Sequence, residues 1–318
     1  METLSQVDPQ DAGAWHKPTH IRKQAQIGNN RFKYIVVTAV RNEEKYLPYS
    51  TTSILNQSID PSIYVVVNDG SNDESANYLK KLPVFTLNLH VPRIPVRGVN
   101  QSFAINKGVE YASIFCPDWK YLLKTDADVV LPSSYVECLM EMMESNPKLG
   151  ICGGWPLNNS GRKMKVRLNR TTDAARLYRR KCWDEIGGLD TINAFDTHAI
   201  LKSRQKGWET TIIPYLNYKE LRSSVKNNLN RWIQSGFCRK SFGFPLWHSV
   251  FAALKNIKSG RPPILGPLTM IISHLFSRWP SAPQLDTRWM KKFSVWEIKE
   301  FSKELFSSRP GKSYSGVV

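Results

Sequence analysis

Asp126 and Asp128 stand one residue apart in "KYLLKTDADVVLP", at the end of an apolar run and just before a proline. In extended chain, residues i and i+2 point the same way, roughly 6–7 Å apart. Two carboxylates so placed repel each other unless a cation lies between them. A hard divalent ion, Mg²⁺ or Mn²⁺, takes oxygen ligands and shares them with phosphate oxygens. On that reading Asp126 and Asp128 form a metal site, with one acid free to reach a ribose hydroxyl. A solvated turn carries the same tripeptide, so the residues around it must decide.

The elements that would position these acids alternate. The β-branched run Tyr34–Val40 reads as a buried strand, and "NEEKYLPYSTTSILNQ" has helical spacing, with Glu43 and Glu44 suited to a helix N-terminus. Ser62–Asp69 is a second strand that ends in the turn signal "DGSND". "ESANYLKKL" predicts a short helix, "VFTLNLH" a strand, "NQSFAINKGVEYASIF" a helix, "WKYLLKT" a strand and "SSYVECLMEMMESNP" a helix. Such alternation predicts an α/β fold with a doubly wound, mostly parallel sheet. Ligands of these sheets sit beyond the C-terminal strand ends, at a topological switch point. Three strands end there in polar clusters: Thr38 to Glu43, Asn68 to Asp73, and Thr125 to Asp128. After Lys148 the pattern turns irregular or antiparallel. "DTHAILKSRQKG" restores a helix that stops at Gly207, and "WETTIIP" a strand.

The chain has 318 residues and a formal net charge of +17. That charge favours anionic partners: phosphorylated ligands, nucleic acid or an acidic membrane surface. From Lys219 to Val318 there are 17 Lys and Arg against five Asp and Glu, so most of the excess lies in the last third. Three segments are expected: a loose lead-in over 1–33, the α/β domain over 34–215, and a basic, aromatic, mainly helical extension over 216–318. The five cysteines form no CxxC pair, which predicts neither a zinc cluster nor a disulfide framework. A reduced, cytoplasmic setting is expected, with no signal pattern at the start and no apolar run of spanning length. The segment "FGFPLWHSVFAALKNIKSGRPPILGPLTMIISHLFSRW" mixes aromatic, aliphatic and basic residues. It suits either packing on the α/β domain or peripheral contact with an anionic membrane face.

The pieces "YIVVTAVRNEEKYL", "YVVVNDGSND", "NQSFAINKGVEYA", "YLLKTDADVVLP", "IGGLD" and "FDTHAILKSRQKGW" stand in the order found in family 2 of the nucleotide-sugar glycosyltransferases, with the GT-A fold. The resemblance runs from about Tyr34 to Pro214. It implies that Thr38, Arg41 and Glu43 border the nucleotide and that Asp69 accepts a hydrogen bond from the base edge. It also implies that Asp126 lies near the ribose, that Asp128 holds the metal bridging the diphosphate, and that Asp196 is the base of an inverting transfer. Gly187–Gly188 would serve a tight turn, and Gly153, Gly154 and Trp155 either the acceptor wall or packing. His198 reads as a structural helix residue. "NNLNRWIQ" loosely resembles the Q-x-x-R-W segment of processive members, which puts Arg231 on the phosphate side and Trp232 beside the acceptor.

The departures are specific. "AIN" at Ala104–Asn106 lacks the family's arginine, whose charge Arg97 or Lys107 would supply. Many family members supply a histidine ligand after the strand equivalent to "TTIIP"; "YLNYKELR" has none, so the third metal ligand is open, and Lys219 could replace part of the cation. The implied partners are a nucleotide-sugar donor (UDP or GDP) and a glycan or lipid-linked acceptor. The alternatives are a polyprenyl-phosphate sugar transferase or a non-enzymatic basic module. No nucleic-acid motif occurs, and no nucleic-acid partner is expected. A nucleotidyltransferase would open with a glycine-rich loop, which "TAVRNEE" lacks.

Overall fold

A computed structural model describes residues 33–167, 170–222, 229–258, 260–277 and 285–306. The expected lead-in therefore lies, up to residue 32, outside the described residues, as does Asn228 of the "NNLNRW" segment.

One eight-stranded sheet organises the chain, in the order β3-β2-β1-β4-β7-β6-β8-β5. Strands β1 (Tyr34–Val40), β2 (Ile63–Asn68), β3 (Phe85–Asn88) and β4 (Tyr121–Asp126) are mutually parallel. Strand β7 (Ala175–Arg179) runs antiparallel to both β4 and β6 (Leu149–Leu157). Strand β8 (Glu209–Glu220) is parallel to β6, and the two-residue β5 (Val129–Val130) closes the edge antiparallel to β8. Six of the eight strands thus share one direction. The segment expected to be irregular or antiparallel contains β6 and β7, and only β7 reverses. Strand β8 continues to Glu220, past the expected boundary after Tyr215.

The parallel half builds outward from β1. Its connections are helices α1 (Leu47–Leu55), α2 (Ser75–Leu79) and α3 (Val99–Phe115). The chain steps from β1 through β2 to β3 on one side, then returns to place β4 on the other. The sheet therefore changes direction of growth between β1 and β4, and a crevice opens at their carboxyl ends. Because side chains alternate along a strand, β1 feeds two cores. Tyr34, Val36 and Val40 pack with α1 and with α4 (Tyr135–Ser145), whereas Ile35 and Val37 pack with α3. Gly108 of α3 is required by this second layer, since a Cβ there would lie 2.5 Å from Val37 Cγ1.

Helix α1 begins at Leu47, later than the run of helical spacing suggests. Pro48 fits the first helical turn, where no amide donor is needed. Residues 43–46 form the turn before it, and Glu43 is released from a capping role to face the crevice.

Past the sheet, α5 (Arg180–Ile186) and α6 (Phe195–Gln205) lie against its β6 end, followed by α7 (Leu229–Ser241), α8 (Leu246–Lys255), α9 (Leu265–Phe276) and α10 (Thr287–Phe306). A third core joins them to the sheet domain: Leu201 of α6 packs with Phe242, Phe244, Leu285, Met290 and Phe293. Glu297 of α10, almost fully buried, is bonded by Arg167, Arg170 and His248. Among the described residues no helix is long and apolar enough to cross a membrane.

Candidate active site

A cleft of about 600 Å³ opens at the carboxyl ends of β1, β2 and β4. Each of the three polar clusters at the strand ends contributes to it. Arg41 and Glu43 follow β1, Asp69 follows β2, Asp126 ends β4 and Asp128 lies just beyond it. The far wall is the segment from Arg93 to Gly98 and the first turns of α3, with Asn100 and Gln101. Four arginines (Arg41, Arg93, Arg97, Arg222) thus share one cleft with four carboxylates (Glu43, Asp69, Asp126, Asp128).

Their pairing is ordered. Arg41 donates to the Asp69 carbonyl at 2.9 Å, and Arg93 to the Asp69 carboxylate at 3.1 Å. Burial pushes the Asp69 carboxyl up, against the pull of Arg93 and Arg41. Arg222 Nε lies 3.1 Å from Asp128 Oδ2, and its Nη2 is bonded to Glu43. Burial also raises Glu43, which Arg222 opposes and the Asp128 and Asp126 carboxylates reinforce. Arg222 reaches this place because β8 pairs with β5. The Leu221 amide donates to the Asp128 carbonyl at 2.8 Å, and Arg222 follows directly. Glu220, two residues before Arg222, is raised by burial and then by the nearby Asp126 and Asp128 carboxylates.

Behind the cleft lies a buried charge relay. Lys124 is fully enclosed inside β4, and its ammonium donates to Asp126 Oδ1 and to Asp173 Oδ2, each at 2.7 Å. A lysine without solvent demands such partners. Gln101 adds a bond to Asp126 Oδ1 at 3.0 Å. Burial raises the Asp126 carboxyl to about 6, with Lys124 opposing and Asp173 and Asp128 adding to the rise. Asp173 is held low: burial would raise it, but Lys124 and Arg176 outweigh burial. Its second oxygen makes no hydrogen bond and faces the Arg176 guanidinium at 3.6 Å.

Asp196 sits at the far end of this relay, in the first turn of α6. Arg176 donates to its carbonyl at 2.9 Å. Burial first, and then the Asp173 charge, raise its carboxyl. A half-buried carboxylate with a raised pKa has the character of a proton acceptor. Asp196 is not among the walls of the cleft; its connection to Asp126 runs through Arg176, Asp173 and Lys124.

Several expectations are corrected. Thr38 does not border the cleft. It shares the strand face of Val36 and Val40, and its fully buried hydroxyl is bonded to Thr125 and Tyr64. Arg231 is exposed on α7 and is not a wall of the cleft. Trp232 is packed within the C-terminal helices, where its indole donates to the Arg261 carbonyl. Lys107 pairs with Glu110 on the surface, so Arg97 is the residue of that pair that reaches the cleft. The cation beside Asp128 is Arg222, not Lys219. Gly154 serves packing, since a Cβ there would meet the Leu216 carbonyl at 2.5 Å. Two other expectations hold: Gly187 and Gly188 form the positive-φ turn at the end of α5, and His198 is a buried helix residue bonded to Asp190.

Hard carboxylate oxygens suit Mg²⁺ or Mn²⁺, which bind through one or two carboxylates plus substrate phosphates rather than an all-protein cage. The residues fit that habit. No group of three His, Cys, Asp or Glu among the described residues is arranged to hold an ion alone. Asp128, with Asp126 beside it, would hold the metal once Arg222 had moved aside.

Paired acids and arginines thus line a cleft at the switch point of an α/β sheet. Residues 35–204 match the family described as Glycosyl transferase family 2, and the chain belongs to that family. It is similar to an uncharacterized glycosyltransferase of Haemophilus influenzae, 25% identical over 120 residues, which is 38% of this chain and 35% of the relative. It is also similar to the poly-beta-1,6-N-acetyl-D-glucosamine synthase of Staphylococcus epidermidis, 29% identical over 122 residues, 37% of this chain and 27% of that one. The matched region therefore spans about a third or less of the length of these relatives. Among solved structures, the fold is shared with S. aureus TarS 1-349 in complex with UDP: TM-score 0.51, 13% identity, covering 78% of this chain and 73% of that one.

Proposed function

We propose that this glycosyltransferase moves a sugar from a nucleoside-diphosphate donor, UDP- or GDP-linked, to a hydroxyl of a glycan or lipid-linked acceptor, with inversion at the anomeric carbon. The convergence of Asp69, Asp126 and Asp128 with four arginines in one switch-point cleft carries this reading. Asp69 and Arg93 would receive the base. Asp126, anchored by Lys124 and Gln101, would take the ribose hydroxyls. Arg41, Arg97 and Arg222 would face the diphosphate, whose charge grows as the sugar leaves. Bound at Asp128, Mg²⁺ or Mn²⁺ would add positive charge at that leaving group.

The acceptor hydroxyl attacks the anomeric carbon from the face opposite the diphosphate. Asp196 takes the hydroxyl proton. The bond from the anomeric carbon to the phosphate oxygen breaks, and its electron pair stays on the nucleoside diphosphate. Attack from the opposite face inverts the configuration. The raised pKa of Asp196 matches a base, because its affinity for the proton exceeds that of a solvated aspartate. Release of nucleoside diphosphate from a panel of UDP- and GDP-sugars, with and without Mn²⁺, tests the donor. Binding of neither UDP nor GDP by calorimetry would refute the reading.

A further inference from the structure

Among the described residues, α9 carries a surface that the sugar-transfer reading does not use. Leu265, Leu268, Ile272, Leu275 and Phe276 point to solvent along one side of the helix, each between 45% and 76% exposed. Their spacing marks one helical face. The opposite face, with Gly266, Pro267, Met270 and His274, is the buried one. Helix α7 lies alongside, so close that a Cβ on Gly236 would meet the Met270 carbonyl. Ile233 of α7, 40% exposed, extends the apolar row, and its carbonyl accepts a bond from Ser273 of α9. A soluble surface seldom leaves so large an apolar row in water without a partner.

Charge indicates which partner. From Leu229 to Ser277 the chain has six Lys and Arg and no Asp or Glu. Arg231, Lys240, Lys258 and Arg261 are all exposed there. A second copy of the same face would bring these cations against one another. A nucleic acid would neutralise them but leave the apolar row in water. A bilayer with anionic headgroups takes both, apolar side chains into the acyl boundary and cations onto the headgroups.

We infer that the α7–α9 face, centred on Leu268, Ile272 and Phe276, docks this protein on an anionic membrane surface. This inference stands on the surface alone and does not require the sugar-transfer reading. The two are adjacent in the fold. Phe242 and Phe244, which follow α7, pack in one core with Ile192 and Ala194, and Cys238 of α7 reaches the Asn193 carbonyl. Those loop residues lead directly into Asp196. The C-terminal helices that carry the docking face are thus packed onto the segment before the proposed base.

Co-sedimentation of the full chain with phosphatidylcholine vesicles, with and without about 30% phosphatidylglycerol, reads this directly. Expected is binding to the anionic vesicles only, weakened by salt. Ile272→Glu and Phe276→Glu, both at exposed positions, should weaken it at least about tenfold, since each places a carboxylate against the acyl region. Nucleotide binding and far-UV circular dichroism in the same variants should stay unchanged, which separates this test from the donor reading. The inference is overturned if the wild-type chain ignores anionic vesicles, or if binding survives both substitutions. It is equally overturned if the substitutions dissolve a dimer seen by sedimentation, or abolish capture of an RNA duplex, while vesicles are never bound.

Discussion

Arg222 holds Asp128 at 3.1 Å and is bonded to Glu43 as well, so one guanidinium joins the second acid of the Asp-Ala-Asp motif to the loop after β1. On the proposed metal reading, a divalent cation held by Asp128 would have to displace this guanidinium. Charge-assisted bonds of this kind contribute about 1.5–3 kcal/mol each. Arg222→Ala should therefore tighten Mn²⁺ binding to the ligand-free protein about tenfold. The same change should weaken metal-free binding of a nucleoside diphosphate by a similar factor. Calorimetry with Mn²⁺ alone and with UDP or GDP alone reads the two effects separately. Unchanged Mn²⁺ affinity would remove the competition.

The assignment of the base makes a claim about pH. Burial and the Asp173 charge raise Asp196, so it gains its proton at a higher pH than a solvated aspartate does. A base works only when deprotonated, so turnover should fall, as pH drops, earlier than an ordinary carboxylate would dictate. Asp173→Asn removes one cause of the rise and should move that acid limb to lower pH. Asp196→Asn should cut turnover by about 10²–10⁴ while leaving donor affinity within about twofold. A limb that stays in place in Asp173→Asn would mean that another group titrates.

How far these residues were readable follows from their range along the chain. Strands β1, β2 and β4 announce themselves as short apolar, β-branched runs, and the polar residues after them had to meet if the strands were parallel neighbours. Glu43, Asp69, Asp126 and Asp128 were therefore legible. Thr38 was misplaced because it belongs to the strand itself, where side-chain alternation turns it into the core. Arg222 depends on the pairing of β5 with β8, a contact across 90 residues that no local pattern encodes. Arg93 depends likewise on how the segment before α3 folds over the cleft. Lys124 carried a signal that was missed. A lone lysine inside the buried run "YLLKTD" requires carboxylates from elsewhere, and Asp173 is one of them.

Lys124 is the most exacting of these side chains. It is enclosed, with Asp126 and Asp173 as its two counter-charges. Removing one member of a buried ion pair leaves uncompensated charge, at a cost of about 3–5 kcal/mol. Lys124→Met retains the stem and should lower the thermal midpoint sharply. A melting curve within a degree or so of wild type would show that the relay contributes little to stability.

The acid limit of stability should lie in the C-terminal helices. Glu297 has a folded-state pKa well below the ordinary glutamate value: burial would raise it, but Arg170, His248 and Arg167 prevail. For an acid whose pKa is depressed by folding, the unfolded chain binds the proton more tightly than the native one. The stabilisation is therefore complete above the unfolded glutamate pKa, near 4.5, and is lost as pH falls through and below that value. Glu297→Gln discards it at every pH and leaves Arg167 and Arg170 facing each other, costing about 3–5 kcal/mol at neutral pH. Urea unfolding between neutral and acid pH should accordingly show wild type and Glu297→Gln far apart at the neutral end and converging as acid is added. Parallel curves across the whole range would place the acid sensitivity elsewhere in the fold.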